Sequence, residues 1–195
     1  MNLLRVWITL PTGETTALGE IAFDAPRPDG TAPTAFRYAR SWLERQDAFP
    51  ITPDPQVLPL TPVEFQASNL GHPLQGFNDA LPDDWGRRLI VVGHRLPRHQ
   101  QGPYWFMRAV GGNGLGALSF SEGEVPPVRL RSSHDLADLA AAAIAFDAGQ
   151  VLENAELNRL YAAGATPDGH TCCRSAPCAA RRAAFTASRT ANRRR

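Results

Sequence analysis

Short runs rich in apolar residues, separated by turn residues, fill the first quarter of the chain. Residues 4–10 and 17–23 have the composition of short strands, and a Pro-Thr-Gly-Glu turn separates them, which predicts a β-hairpin. Phe36 and Tyr38 are two residues apart, as expected for a third strand that carries both rings on one face. The pattern therefore favours an antiparallel meander, followed by a short turn or helix at residues 41–43.

The next segment predicts irregular structure and then helices. Residues 49–62 are rich in proline, which lacks a backbone N–H, so we expect an extended surface stretch with at most a short edge strand at residues 57–60. A helix is predicted at residues 72–81. Asp83 or Asp84 can cap a second helix, in which Trp85, Leu89 and Val92 recur at near-helical spacing.

Together with the rest of the chain, these elements predict an α+β fold, in which helices accompany a small antiparallel sheet or partial barrel. Residues 103–120 predict a helix, a glycine-rich turn and a returning strand, in that order. Ser133 is a suitable cap for a helix ending near residue 146, and a last helix is predicted at residues 153–163.

The composition changes after residue 164. The following segment contains no Leu, Ile, Val, Met, Trp or Tyr, so we expect a disordered tail. The net charge of +1 is the sum of two unlike parts. Residues 1–164 contain 13 arginines and 18 acidic residues, whereas residues 165–195 contain seven arginines and one acidic residue. The predicted organisation is a domain at residues 1–130, a helical segment at residues 131–164 and a basic tail at residues 165–195.

Every one of the 20 basic residues is arginine. Walker-type phosphate loops, protein kinases and pyridoxal phosphate enzymes all use a lysine, so this chain cannot complete any of those sites. The three cysteines all lie in the predicted tail, which leaves the rest of the chain without a thiol nucleophile. No stretch has the layout of a signal peptide or a bilayer span, and we expect a cytoplasmic protein.

Several candidate sites have a simpler structural explanation. Residues 112–117 match Gly-x-Gly-x-x-Ala, but the predicted order of helix before and strand after is the reverse of a phosphate-binding loop. Asp83 and Asp84 are better placed for helix capping than for acid-base chemistry. His94 and His99 do not have the spacing of a helical metal pair, and we expect them to be exposed.

Two candidate functions of the tail are also not favoured. His170, Cys172, Cys173 and Cys178 could supply four zinc ligands, but adjacent cysteines do not form the separated pairs typical of a zinc site. The tail arginines could bind nucleic acid, yet they lack interleaved aromatic residues for base stacking. We therefore predict no catalytic, cofactor or metal residue and no direct binding of nucleic acid or membrane.

The order of four motifs resembles the N-terminal part of the HipA-family toxin kinases. The motifs are Leu-Gly-Glu-Ile at residues 18–21, Phe-Arg-Tyr-Ala-Arg-Ser-Trp-Leu at residues 36–43, Leu-Pro-Leu at residues 58–60 and Phe-Asn-Asp-Ala-Leu-Pro-Asp-Asp-Trp-Gly-Arg-Arg at residues 77–88. Residues 110–118 are similar to a further family segment. The resemblance covers about residues 3–164 and stops where the family's glycine-rich loop and nucleotide lysine would follow.

The resemblance implies a serine/threonine kinase family of toxin-antitoxin systems, in which a β-rich subdomain packs on a kinase core. It also implies ATP and Mg²⁺ for full-length members and a helix-turn-helix HipB-like antitoxin as partner. For this chain it implies a truncated, inactive N-terminal fragment or, alternatively, a stand-alone regulatory module that docks on a separate HipA-like kinase core. Trp85, Arg87 and Arg88 are the candidate partner-binding residues. We further hypothesise a shift of reading frame near residue 165.

Overall fold

We describe the protein from a computed structural model, which covers residues 1–29, 31–114, 116–128 and 135–163. The chain divides into two compact units, Met1–Ser133 and His134–Arg195. The predicted basic tail, Ser133 and the four candidate zinc ligands lie outside the described residues.

The first unit is built on a five-stranded antiparallel sheet of order β4-β3-β2-β1-β5. Because β1, β2, β3 and β4 pair in sequence order, the predicted meander is confirmed. The strands are β1 at Asn2–Thr9, β2 at Thr15–Phe23, β3 at Pro33–Tyr38, β4 at Glu64–Ser68 and β5 at Leu118–Ser121.

Among the described residues, four helices belong to the first unit and two belong to the second. They are α1 at Arg40–Leu43, α2 at Gln75–Asn78, α3 at Asp84–Gly93, α4 at Pro103–Val110, α5 at Leu136–Asp147 and α6 at Asn154–Ala163. A short 3-10 helix occupies Arg98–Gln100. None of the helices in the described part of the chain is both long enough and apolar enough to cross a membrane.

One face of the sheet forms the core of the first unit. Phe36 is fully buried there, with its ring centroid 4.6 Å from that of Phe77 and 4.9 Å from that of Tyr38. Gly19 lies on the neighbouring strand, where a Cβ would come within 2.6 Å of the Phe36 ring and 2.3 Å of the Arg37 carbonyl oxygen. The glycine of the Leu-Gly-Glu-Ile motif thus provides the space that the Phe36 ring needs.

The opposite face of the sheet carries charged residues across adjacent strands. Glu20 on β2 lies 3.4 Å from Arg37 on β3 and 3.6 Å from Arg5 on β1. Arg5 continues the row to Glu124, at 2.6 Å. This alternation of charges across the strands satisfies the cross-strand preference for opposite charges.

Three details of the first unit differ from the predictions. Residues 57–60, where at most a short edge strand was expected, form turns and bends, and the edge strand is β4, which was not predicted. The helix predicted at residues 72–81 is reduced to the four residues of α2 because turns occupy both sides of it. Val92 is 50% exposed, and Ile90 takes the expected place in the core.

The described part of the second unit, residues 135–163, contains the helices α5 and α6. Leu139, Ala143 and Phe146 of α5 are buried, as are Leu157 and Leu160 of α6. Asp135 caps α5, since its carboxylate accepts hydrogen bonds from the backbone N–H groups of residues 137 and 138 at 2.7 and 3.4 Å. The cap is therefore two residues later than the sequence predicted.

Candidate partner-binding surface

The candidate residues Trp85, Arg87 and Arg88 all lie in the first half of α3. Asp83 fixes the start of this helix, because its Oδ1 accepts a hydrogen bond from the Gly86 N–H at 2.8 Å. The prediction that Asp83 or Asp84 caps α3 is therefore confirmed for Asp83. The Asp84 side chain is fully exposed and lies 3.8 Å from Arg87.

The three candidate residues do not share one face of α3. The helix buries Gly86, Leu89 and Ile90, so this side is turned to the core. Trp85 and Arg87 are about 200° apart around the helix axis and therefore lie on opposite flanks. Both are half-buried, whereas Arg88 is exposed.

Arg87 is held by contacts within the domain. Its Nε donates a hydrogen bond to the Pro82 carbonyl oxygen at 3.0 Å. Its guanidinium group lies 5.7 Å from the centroid of the Phe106 ring of α4, within the range of a cation-π contact. These contacts connect the start of α3 to α4, so Arg87 has a structural role whether or not it also meets a partner.

Trp85 and Arg88 also take part in interactions within the chain. Val92 follows Arg88 by one helical turn and is 50% exposed. The solvent side of α3 thus presents Arg88 and Val92 close together.

A second polar group, which the sequence analysis missed, connects α4 to the end of β5. The Tyr104 hydroxyl donates a hydrogen bond to Glu122 Oε1 at 2.6 Å, and Arg108 Nε donates to Glu122 Oε2 at 2.8 Å. The hydroxyl hydrogen bond is the main reason that the pKa of Glu122 is lowered, and Arg108 adds to it. Burial raises the pKa of Tyr104, as does the Glu122 carboxylate.

No local pattern could have identified this group from sequence. Tyr104 and Arg108 are four residues apart on one face of α4, but Glu122 lies beyond the glycine-rich turn and β5. Only the packing of α4 beside β5 brings the three side chains together.

The glycine-rich segment is a close-packed turn. It follows α4 and leads into β5, which confirms the predicted order of helix and then strand. A Cβ at Gly112 would lie 2.6 Å from the carbonyl oxygen of Val128. The backbone of Val128 therefore packs closely against Gly112, and the order of helix before the turn and strand after it is the reverse of a phosphate-binding loop.

The histidine and carboxylate positions also do not form a metal centre in the described part of the chain. His94 and His99 are exposed, as predicted. Among the described residues, no group of three or more His, Cys, Asp or Glu side chains is arranged to hold a metal ion.

The family comparison agrees with the motifs and the sheet. A search of curated proteins found no match. A family profile described as the HipA N-terminal domain (Couple_hipA) matches residues 14–121, which is more than half of the chain. The matched range extends from the turn between β1 and β2 to the last residue of β5. The chain therefore belongs to the HipA family and contains its N-terminal domain.

Proposed function

We propose that this chain is a non-catalytic N-terminal module of a HipA-like toxin-antitoxin kinase and has no kinase activity of its own. The observation that carries the proposal is the match to the N-terminal domain, which ends at residue 121. A chain without lysine also lacks the residue with which kinases hold the nucleotide phosphates.

The described residues do not fit the ATP and Mg²⁺ of full-length family members. The glycine-rich turn lies between the end of α4 and β5 rather than at the start of a helix, and the backbone of Val128 packs against Gly112. Glu20 and Glu122 pair with arginines, and Asp83 caps α3. The proposed role is therefore structural or regulatory, and no phosphoryl transfer step is assigned to these residues.

The direct test of the proposal is an activity and binding assay on the purified chain. Transfer of phosphate from radiolabelled ATP and binding of ATP in the presence of Mg²⁺ should both be absent. A complete HipA-family kinase, assayed in parallel, provides the positive control. Phosphorylation of the chain itself or of an added protein by the purified chain would overturn the proposal.

A second candidate function is a regulatory module that docks on a separately encoded HipA-like kinase core. It is favoured by Val125 and Val128, which are 75% and 79% exposed although their segment packs against Gly112. Contiguous exposed apolar surface can mark an interaction site, and we propose that these two valines form part of one. Trp85, Arg87 and Arg88 remain the predicted contact residues on α3.

Binding to a kinase core tests this second function. The chain should co-purify with a HipA-like core that lacks its own N-terminal domain, and replacing both Val125 and Val128 by Asp should weaken binding at least tenfold. Arg88→Glu tests the α3 surface, and Arg40→Glu is its matched control because Arg40 is also an exposed helical arginine. Binding to a HipB-like antitoxin in place of the core would assign the module to that partner.

The DNA around codon 165 distinguishes the two functions. A kinase-like sequence in another reading frame downstream supports a broken toxin gene. A neighbouring gene that encodes a core without this domain supports the regulatory module. If neither reading frame encodes a kinase core, the frameshift hypothesis is wrong.

A further inference from the structure

The hydrogen-bond pattern of β3 shows which backbone groups of β4 face away from the sheet. The N–H of Asp24 donates to the carbonyl oxygen of Pro33, and the N–H of Ala39 donates to that of Leu18. Odd-numbered residues of β3 therefore bond to β2, and its even-numbered residues bond to β4. The N–H of Asn69, which donates to Ala32, fits the same alternation.

The alternation determines the free edge of the sheet. Phe65 and Ala67 lie opposite Phe36 and Thr34, so their backbone groups face β3. The backbone groups of Glu64, Gln66 and Ser68 consequently point outward, and we call this row the β4 edge. Within the described residues, one backbone hydrogen bond reaches the row, from the Gly71 N–H to the Ser68 carbonyl oxygen.

Features that protect edge strands in other proteins are mostly absent from the β4 edge. The strand contains no proline, lysine or arginine, and its register with β3 is regular over all five residues. The side chains of Glu64, Gln66 and Ser68 are exposed. Beside them, a cleft of about 490 Å³ is lined by Ala22 and Ala35 together with the larger side chains of Met1, Asp24 and Arg27.

The sequence of β4 is complementary to itself in one antiparallel register. If Gln66 lies opposite its own copy, Glu64 faces Ser68 and Phe65 faces Ala67, so all five residues are paired and no like charges meet. A register centred on Glu64 would place two carboxylates opposite each other, which is unfavourable. In the Gln66 register the two Phe65 rings are diagonal neighbours, within reach of each other.

We propose that the β4 edge pairs with the β4 edge of a second copy, in antiparallel orientation about a twofold axis at Gln66. The two five-stranded sheets then continue as one sheet. This inference is independent of the proposed non-catalytic function. A five-residue strand pair is small compared with the interface of a stable dimer, so the association is weak and depends on concentration.

Two arginine substitutions that change the net charge equally test the register. Gln66→Arg puts two like charges opposite each other at the twofold axis and should weaken association. Ser68→Arg creates two equivalent pairs, in each of which the new cation of one copy lies opposite Glu64 of the other. It should strengthen association by about 2- to 30-fold. Both side chains are exposed, so both variants should fold.

Sedimentation of the full chain over a range of concentrations provides the measurement. The apparent mass should rise from 21.2 kDa toward twice that value, and the amide hydrogen of Gln66 should exchange more slowly as the dimer forms. A mass that stays monomeric at every concentration would overturn the proposal. Equal effects of Gln66→Arg and Ser68→Arg, or a dimer whose Gln66 amide stays unprotected, would also overturn it. None of these outcomes changes the result expected in the kinase assay, so the two proposals can fail separately.

Discussion

The two edges of the sheet have opposite surroundings. At the β5 edge Leu118, Ser119 and Phe120 are all buried, and the Phe120 N–H donates to the Gly111 carbonyl oxygen at 3.0 Å. The glycine-rich turn and α4 thus cover this edge. At the β4 edge every second side chain is exposed, and Phe65 is half-buried.

The difference shows that, within the part of the chain that the structure describes, the sheet is covered at the β5 edge and exposed at the β4 edge. The covered edge joins strand, turn and helix into one packed region, to which Tyr104, Arg108 and Glu122 add a polar connection. Among the described residues, the backbone groups of Glu64 and Gln66 at the β4 edge have no backbone hydrogen bond, whereas the Ser68 carbonyl oxygen accepts one from Gly71. Substitutions at the β5 edge should therefore affect stability, whereas those at the β4 edge should mainly affect association.

The largest expected contrast is between the two phenylalanines. Phe120→Ala removes a side chain that is 2% exposed and should cost about 3–5 kcal/mol of unfolding free energy. Phe65→Ala removes a half-buried ring and should cost less than half as much. Urea denaturation of both variants measures the difference. Equal losses would show that the β4 edge is as firmly packed as the β5 edge.

A glycine pair tests the cover of the β5 edge. A Cβ at Gly112 would meet the Val128 carbonyl oxygen at 2.6 Å, so Gly112→Ala should destabilise the protein by about 1–3 kcal/mol. Gly123→Ala is the matched control, because nothing lies within 4 Å of its added Cβ. Thermal unfolding should show a lower Tm for the first variant alone. An unchanged Tm for Gly112→Ala would mean that the segment at Val128 can move away.

The contrast between the edges also explains how much of the structure the sequence predicted. The short apolar runs and the turn between them were sufficient to predict β1 and β2, and the alternation at residues 35–38 was sufficient to predict β3. The β4 strand escaped prediction although residues 64–68 alternate, because the run is short, contains one large apolar residue and follows a proline-rich stretch. At α3, the Asp83 cap followed from local sequence, but the contact of Arg87 with Phe106 depends on long-range packing. The hydrogen bonds of Tyr104 and Arg108 to Glu122 could not be predicted either, because they also depend on long-range packing.

The polar connection at the β5 edge predicts a dependence of stability on pH. The Tyr104 hydrogen bond, with help from Arg108, lowers the pKa of Glu122 in the folded protein. Its stabilising contribution is therefore complete above the unfolded pKa of about 4.3 and is lost as the pH falls through the lower folded value. Denaturation at several pH values should show this loss in the parent chain.

Two variants assign the pH dependence to Glu122. Glu122→Gln should remove this part of the acid dependence, and Tyr104→Phe should reduce it because the hydroxyl donor is gone. If Glu122→Gln keeps the full acid slope, other carboxylates cause it and the connection contributes little.

The smallest expected effect is at the charged row near the β4 edge. Arg37 lies 3.4 Å from Glu20, and 60% of its side chain is exposed, so solvent screens the pair. Arg37→Gln should lower the unfolding free energy by less than about 1 kcal/mol. The loss should shrink further in concentrated salt, which urea denaturation at two ionic strengths would measure. A larger loss that does not respond to salt would mean that Arg37 supports the sheet by packing, and the β4 end would then be less open than its exposed side chains indicate.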